Sequence, residues 1–250
     1  AVNLIRGPKG STVVLTVFRD ESDTSLEISI VRGTIVVPVL EWEFLEPGIA
    51  HIEIFHFADS TEEDLRDAVP EMLNQGVEKI VLDLRNNPGG VIYVSIKIID
   101  QLLGDVPVFI HMGKLPDVLD HDSDDVDDIV GGAPIVVLVN ENTASASEIT
   151  TAVLRYYDRA TVFGKQTFRK GASTGSVIYN GSRINLTLLY IYLPDKSPLN
   201  GVGVAPDFIV EEEGTPDPSW HSEVPELDPN SQLYDHQLTE AYRYLLNRAH

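Results

Sequence analysis

The segment Ala133-Pro134-Ile135-Val136-Val137-Leu138-Val139-Asn140 constrains the fold more than any other stretch of this 250-residue chain. It is an uninterrupted apolar run, rich in β-branched residues and opened by proline, which predicts a strand buried on both faces. Asn142-Thr143-Ala144-Ser145-Ala146-Ser147-Glu148 follows at once. Beyond it, Ile149-Thr150-Thr151-Ala152-Val153-Leu154 carries apolar positions at roughly helical spacing. Small hydroxyl residues therefore occupy a strand-to-helix turn. Two readings are open. Ser145 can be an exposed nucleophile with the next backbone N–H groups forming an oxyanion hole at the helix start. Alternatively, the cluster is an N-cap, with Glu148 closing a capping box.

The same unit recurs along the chain. Gly48 to Phe55 reads as a strand, followed by a helix capped at Ser60, running through Leu65, Val69 and Leu73 and stopped at Gly76. Lys79 to Leu84 is a buried strand ending in the glycine-rich turn Arg85-Asn86-Asn87-Pro88-Gly89-Gly90, with a helix from about Val91 to Leu103. Further strands are expected over Val106–His111, Ala160–Phe163, Ser176–Tyr179, Ile184–Leu193 and Phe208–Val210. Gln232 to Arg248 has the pattern of an amphipathic helix. Upstream, Thr12–Arg19 and Leu26–Arg32 alternate in a way that predicts a hairpin around the acidic loop Asp20–Asp23, and Thr34 to Glu46 is a strand-rich connector. Alternating strands and helices give an α/β protein. Glycine or small residues at the turns bring two clusters of backbone N–H groups towards one place.

Composition narrows the chemistry. A formal charge of −21 argues against nucleic acid or an anionic membrane as partner. The absence of cysteine excludes disulfides, cysteine-ligated zinc and thiol catalysis. No apolar run approaches membrane-span length, and no signal-like segment opens the chain. Asp117 to Asp128 holds seven Asp in twelve positions, but the spacing does not fit a calcium loop. A solvated loop is expected there, and no metal or cofactor is assigned. No His/Asp pair stands at matching strand ends: His51, His56, His111 and His121 read as scattered, structural or exposed. A hydroxyl nucleophile then needs another base, and two readings of Lys170 are open: a surface charge, or the base if it is neutral. Its pKa must fall from about 10.4 by roughly three units, through burial away from carboxylates.

Three ordered motifs now carry a resemblance: Asp83-Leu84-Arg85-Asn86-Asn87-Pro88-Gly89-Gly90, Thr143-Ala144-Ser145-Ala146-Ser147-Glu148, and Gly164 to Gly171 ending Lys170-Gly171, with Gly201-Val202-Gly203-Val204-Ala205-Pro206-Asp207 beyond them. Together they resemble the C-terminal processing proteases of serine peptidase family S41, over most of Ala1 to Val210. The resemblance implies a ClpP/crotonase-like core. It implies Ser145 as nucleophile and Lys170 as base, at the family's spacing of 170 − 145 = 25. It implies an oxyanion hole from backbone N–H groups of Gly89 or Gly90 and of Ala146, with Asp83, Arg85 and Glu148 in support. Arg85 is expected to pair with a carboxylate and fix the turns. Implied substrates are proteins or peptides with apolar C-termini, acted on outside the cytoplasm, and a homo-oligomer is allowed.

Two positions depart from the family. Arg169 replaces a glycine beside the base, adding bulk and a like charge. Thr174 stands where a glutamine usually holds the lysine, and its hydroxyl has a shorter reach. The opening hairpin resembles the last part of a PDZ domain without its carboxylate-binding loop. The expected organisation is a PDZ remnant over 1–32, a protease core over 33–213, and an acidic linker with a C-terminal helix over 214–250. A chain lacking the N-terminal region and most of the PDZ is expected. A serine endopeptidase is the leading expectation. A catalytically impaired binding or scaffolding relative is the alternative, and a crotonase-like acyl-thioester enzyme is disfavoured by the lack of a basic CoA patch.

Overall fold

The computed structural model describes residues 2–19, 25–34, 37–103, 109–113, 119–120, 128–211 and 235–248. The chain divides into two compact units, Ala1–Pro38 and Val39–His250. In the first, helix α1 (Val2–Ile5) precedes strands β1 (Thr12–Phe18) and β2 (Ser25–Val31), which pair antiparallel from Thr12↔Val31 to Phe18↔Ser25. Arg32 closes this unit by donating through Nε to Ile5 O at 2.7 Å. The predicted hairpin is therefore present; its acidic loop lies outside the described residues.

The second unit is built on a six-stranded sheet in the order β12-β9-β8-β5-β4-β3. Its strands are β3 (Leu40–Glu46), β4 (Ile49–Ile54), β5 (Lys79–Asp83), β8 (Ile135–Val139), β9 (Ala160–Gly164) and β12 (Phe208–Ile209). All neighbours are parallel except the β3–β4 hairpin. Helices α2 (Thr61–Asn74), α3 (Ile92–Leu103) and α4 (Ala146–Tyr156) supply the crossovers. A second sheet, in the order β10-β11-β6-β7, joins β10 (Ala172–Tyr179) and β11 (Ser182–Tyr192) to the short β6 (Phe109–Gly113) and β7 (Leu119–Asp120). Among the described residues, no helix is long and apolar enough to cross a membrane.

Alternation along each strand sends side chains to two cores. Ile52, Ile80, Leu82 and Val137 face one side, where they meet Leu65 and Val69 of α2, Ile99 of α3 and Ile149 of α4. Ile49, Val81, Val136 and Leu138 face the other, against Ala241, Tyr242 and Leu245 of α5 (His236–Leu246). Every residue of β8 is buried, as its apolar run predicts. Helix α5 is thus a layer of this unit, while the acidic stretch expected before it lies outside the described residues.

Local signals erred in places. Ser60 makes no side-chain cap for α2. Thr61, the first residue of α2, instead fastens the turn before the helix, accepting from Ala58 N–H and donating to His56 O, both at 2.9 Å. Strand β10 begins at Ala172, earlier than the alternation indicates, and so takes in Thr174.

Candidate active site

The β8–α4 turn holds Ser145 at φ 59°, ψ −117°, a conformation that side-chain-bearing residues rarely adopt. The Asn87-Pro88-Gly89-Gly90 turn at the end of β5 presses directly against it. A Cβ on Gly89 would stand 2.5 Å from Ala144 O and 2.8 Å from Ser145 Cβ, and Gly89 itself has φ +95°. Glycine is required there by space as well as by dihedral. Asn87, fully buried, fastens the two turns. Its Nδ2 donates to Ile54 O (2.6 Å), and its carbonyl accepts from Ala144 N–H (3.0 Å) and Ser147 Oγ (3.1 Å). Sequence reasoning missed Asn87, although an Asn before Pro-Gly-Gly is an Asx-turn signal.

Asn87 Oδ1 also accepts the Gly89 N–H at 2.9 Å. Of the two glycines expected to donate to an oxyanion, Gly89 is therefore already engaged. The N–H groups of Gly90 and Ala146 have no intramolecular partner among the described residues.

Glu148 joins the nucleophile turn to the lysine loop. Its carboxylate is fully buried. Oε2 accepts from Ser145 N–H (3.0 Å) and Lys170 N–H (2.8 Å). Oε1 accepts from Arg169 N–H (2.7 Å) and from Thr167 Oγ1. The capping-box contact foreseen for Glu148 is thus one part of a longer-range clasp. Thr167 passes the connection on: its Oγ1 accepts from Val204 N–H at 2.8 Å, in the Gly201–Pro206 loop.

The side chain of Lys170 is exposed, and no hydrogen bond joins it to Ser145 or Thr174 among the described residues. Thr174 is exposed on β10, opposite Thr187. Arg169 has φ +75°, which costs a residue with a Cβ roughly 1–2 kcal/mol.

The other sheet face carries a polar network. His51, inside β4, has Nε2 3.2 Å from Oδ2 of Asp83, the last residue of β5, so the two form a buried pair without standing at matching strand ends. Parallel pairing of β4 with β5 sets Glu53 opposite Asp83 and brings His51 alongside. The pair shares its face with Ile49 and Val81, opposite α4, and so stands apart from Ser145. Arg85 donates to Asp83 through Nε at 3.0 Å and reaches Asp235 Oδ2 through NH2 at 2.6 Å. It pairs with carboxylates as expected, and one of them caps α5 by accepting from Leu238 N–H at 3.0 Å.

Burial pushes the His51 imidazole down, but the Asp83 hydrogen bond and charge outweigh it and leave its pKa raised above 6.5. Burial pushes the Asp83 carboxyl up, but hydrogen bonds from His51 and Arg85 outweigh that and leave it below 3.8. Glu43, Glu53 and Arg85 also face His51. The His51 contribution to stability is complete below pH 6.5 and fades as pH rises through its raised pKa; that of Asp83 is complete above pH 3.8 and fades in acid. The urea midpoint of the parent chain is expected to fall between about pH 6 and about pH 9, and His51→Gln is expected to flatten that fall. Parallel midpoint curves for the two proteins would remove His51 from the account.

The sequence model described as peptidase family S41 matches residues 48–210. The chain belongs to peptidase family S41. Among its S41 relatives, the carboxy-terminal-processing protease of Bartonella bacilliformis is 34% identical over 219 residues, covering 85% of this chain and 50% of that protein. The protein named "Probable CtpA-like serine protease" of Staphylococcus haemolyticus is 34% identical over 82% of this chain and 41% of its own length. The chain thus spans about half the length of these relatives. A solved photosystem II D1 C-terminal processing protease superposes with a TM-score of 0.62 at 27% identity, over 82% of this chain and 57% of that one. The S41 match spans Gly89, Ser145, Glu148 and Lys170, the residues brought together above.

Proposed function

We propose that this S41 chain is a serine endopeptidase working through a Ser145–Lys170 dyad. The observation that carries the reading is the strained Ser145 turn, seated on Gly89 and tied by Glu148 to the backbone of Lys170. Lys170 takes the Ser145 proton as Oγ attacks a peptide carbonyl. The N–H groups of Gly90 and Ala146 receive the oxyanion. Lys170 returns the proton to the leaving amine, and water then hydrolyses the acyl-enzyme. The exposed Lys170 side chain must swing to Ser145 when substrate closes over it. Relatives named as carboxy-terminal-processing proteases support protein tails as substrates. Apolar ends and a meeting place outside the cytoplasm rest on the family resemblance alone. On resemblance alone, the β1–β2 hairpin is the last part of a PDZ domain.

The test is casein cleavage, together with fluorophosphonate labelling, by the parent, Ser145→Ala and Lys170→Ala from about pH 6 to about pH 10. The parent is expected to cleave and to be labelled. Both variants are expected to lose at least about 10³-fold in kcat/KM. Cleavage that survives in Ser145→Ala would sink the reading. The open Lys170 side chain favours one competitor, a binding protein of the same fold. Peptide binding without any labelling of Ser145 would establish that competitor instead.

A further inference from the structure

We infer that Arg169 is a specificity residue, which binds a substrate carboxylate beside the Ser145–Lys170 site. The inference rests on the peptidase reading above for its location and on this chain's own residues for its chemistry.

The backbone of Arg169 is fully committed. Its N–H goes to Glu148 Oε1 at 2.7 Å, and its carbonyl accepts from Gly201 N–H at 3.0 Å. These bonds hold φ at +75° and fix the direction in which the side chain leaves the loop. The stem passes over Gly203, where an added Cβ would come within 2.9 Å of Arg169 Cγ. The same Cβ would also come within 2.8 Å of Thr167 Oγ1 and 2.9 Å of Glu148 Oε1, so the stem lies in the packed joint between the two loops. Glycine is what the backbone at residue 169 favours, and what the S41 motif carries there. This chain carries an arginine there instead.

Among the described residues, none pairs with its charge. The guanidinium is exposed and has no ion pair or hydrogen bond among the described residues, although the chain carries a net −21. Arg85, Arg155 and Arg243 each meet a carboxylate at 3.0 Å or less. Arg169 stands one residue before Lys170, on the loop that Glu148 clasps to Ser145. A planar fork of donors at that place fits a carboxylate in two-point contact. The carboxylate can be the free end of a polypeptide or an Asp or Glu side chain close to the scissile bond.

The experiment measures peptide binding on Ser145→Ala by fluorescence anisotropy. The probes are a fluorescein-labelled decapeptide ending Ala-Leu-Ala as the free acid, the same peptide as the amide, and amides with one Asp walked through the last four positions. The free acid or an Asp amide is expected to bind about tenfold more tightly than the neutral amide. Arg169→Gly, which relieves the backbone, is expected to erase the difference, and Arg169→Lys to restore part of it. Raising salt from about 0.05 M to about 0.5 M is expected to shrink it. A preference for the free acid alone assigns the α-carboxylate; a preference for both assigns any carboxylate near the site.

The inference is overturned if anionic and neutral peptides bind alike, if Arg169→Gly keeps the preference, or if it weakens all peptides equally. It is also overturned if Arg169→Gly shifts the pH–rate profile of the chain bearing Ser145 while leaving the acid-to-amide ratio unchanged, since Arg169 then acts through Lys170. Binding on Ser145→Ala reads Arg169, whereas cleavage by the chain with Ser145 reads the peptidase assignment, so the two can fail separately.

Discussion

Glu148→Ala is expected to cost about 3–5 kcal/mol of stability and at least about 10²-fold in kcat/KM. Four donors converge on one buried carboxylate: the N–H groups of Ser145, Arg169 and Lys170, and the hydroxyl of Thr167. Alanine leaves them without an acceptor and opens a hole between two loops that are also joined by the Phe168 N–H to Thr143 O bond at 3.0 Å. Each buried donor left unpaired costs roughly 1–3 kcal/mol, with water entering the hole to recover part. The kinetic loss comes from position, because the Glu148 carboxylate holds the backbones that carry the two reacting side chains. Urea unfolding reads the first effect; casein cleavage and phosphonate labelling of the folded variant read the second. Glu148→Gln keeps the volume but turns an amide N–H₂ towards donors, so it should recover stability only in part. Full-rate labelling and cleavage by Glu148→Ala would show that the clasp does not position the dyad.

Arg85→Ala is expected to destabilise the chain by about 3–5 kcal/mol. Asp83 is 2% exposed, and Arg85 gives it a main-chain N–H at 3.0 Å as well as the guanidinium. Removing the guanidinium strands a buried carboxylate with His51 as its remaining cation. It also releases Asp235 and Gln237, which Arg85 NH1 binds at 2.9 and 3.2 Å, from the start of α5. The pair itself is not the measure of this cost, since two charges taken out of water roughly offset their own attraction. The double change Arg85→Ala, Asp83→Asn should therefore be less destabilised than Arg85→Ala alone. A loss below about 1 kcal/mol in the single variant would mean that solvent reaches Asp83 freely. Because Arg85 lies two residues before Asn87, cleavage should fall as well, by loosening of the glycine turn.

Arg85 illustrates what a chain discloses before it is folded. Its place in a strand-to-helix turn and its need for a carboxylate were legible in the sequence. Asp235, 150 positions away, was not. Local order along the chain determined the α/β class, the fully buried β8, the small-residue turn at Ser145 and the glycines of the facing turn. These follow from periodicity and from steric needs that act over a few residues. The candidate dyad came from the resemblance to family S41. Only the tertiary structure decided that His51 meets Asp83, that Asn87 takes the Gly89 amide, that Glu148 clasps the lysine loop, and that the Lys170 side chain stands open to solvent. Each depends on which strands lie side by side and in which register. In a parallel sheet that is settled by helices crossing between strands far apart in sequence, so no local pattern contains it.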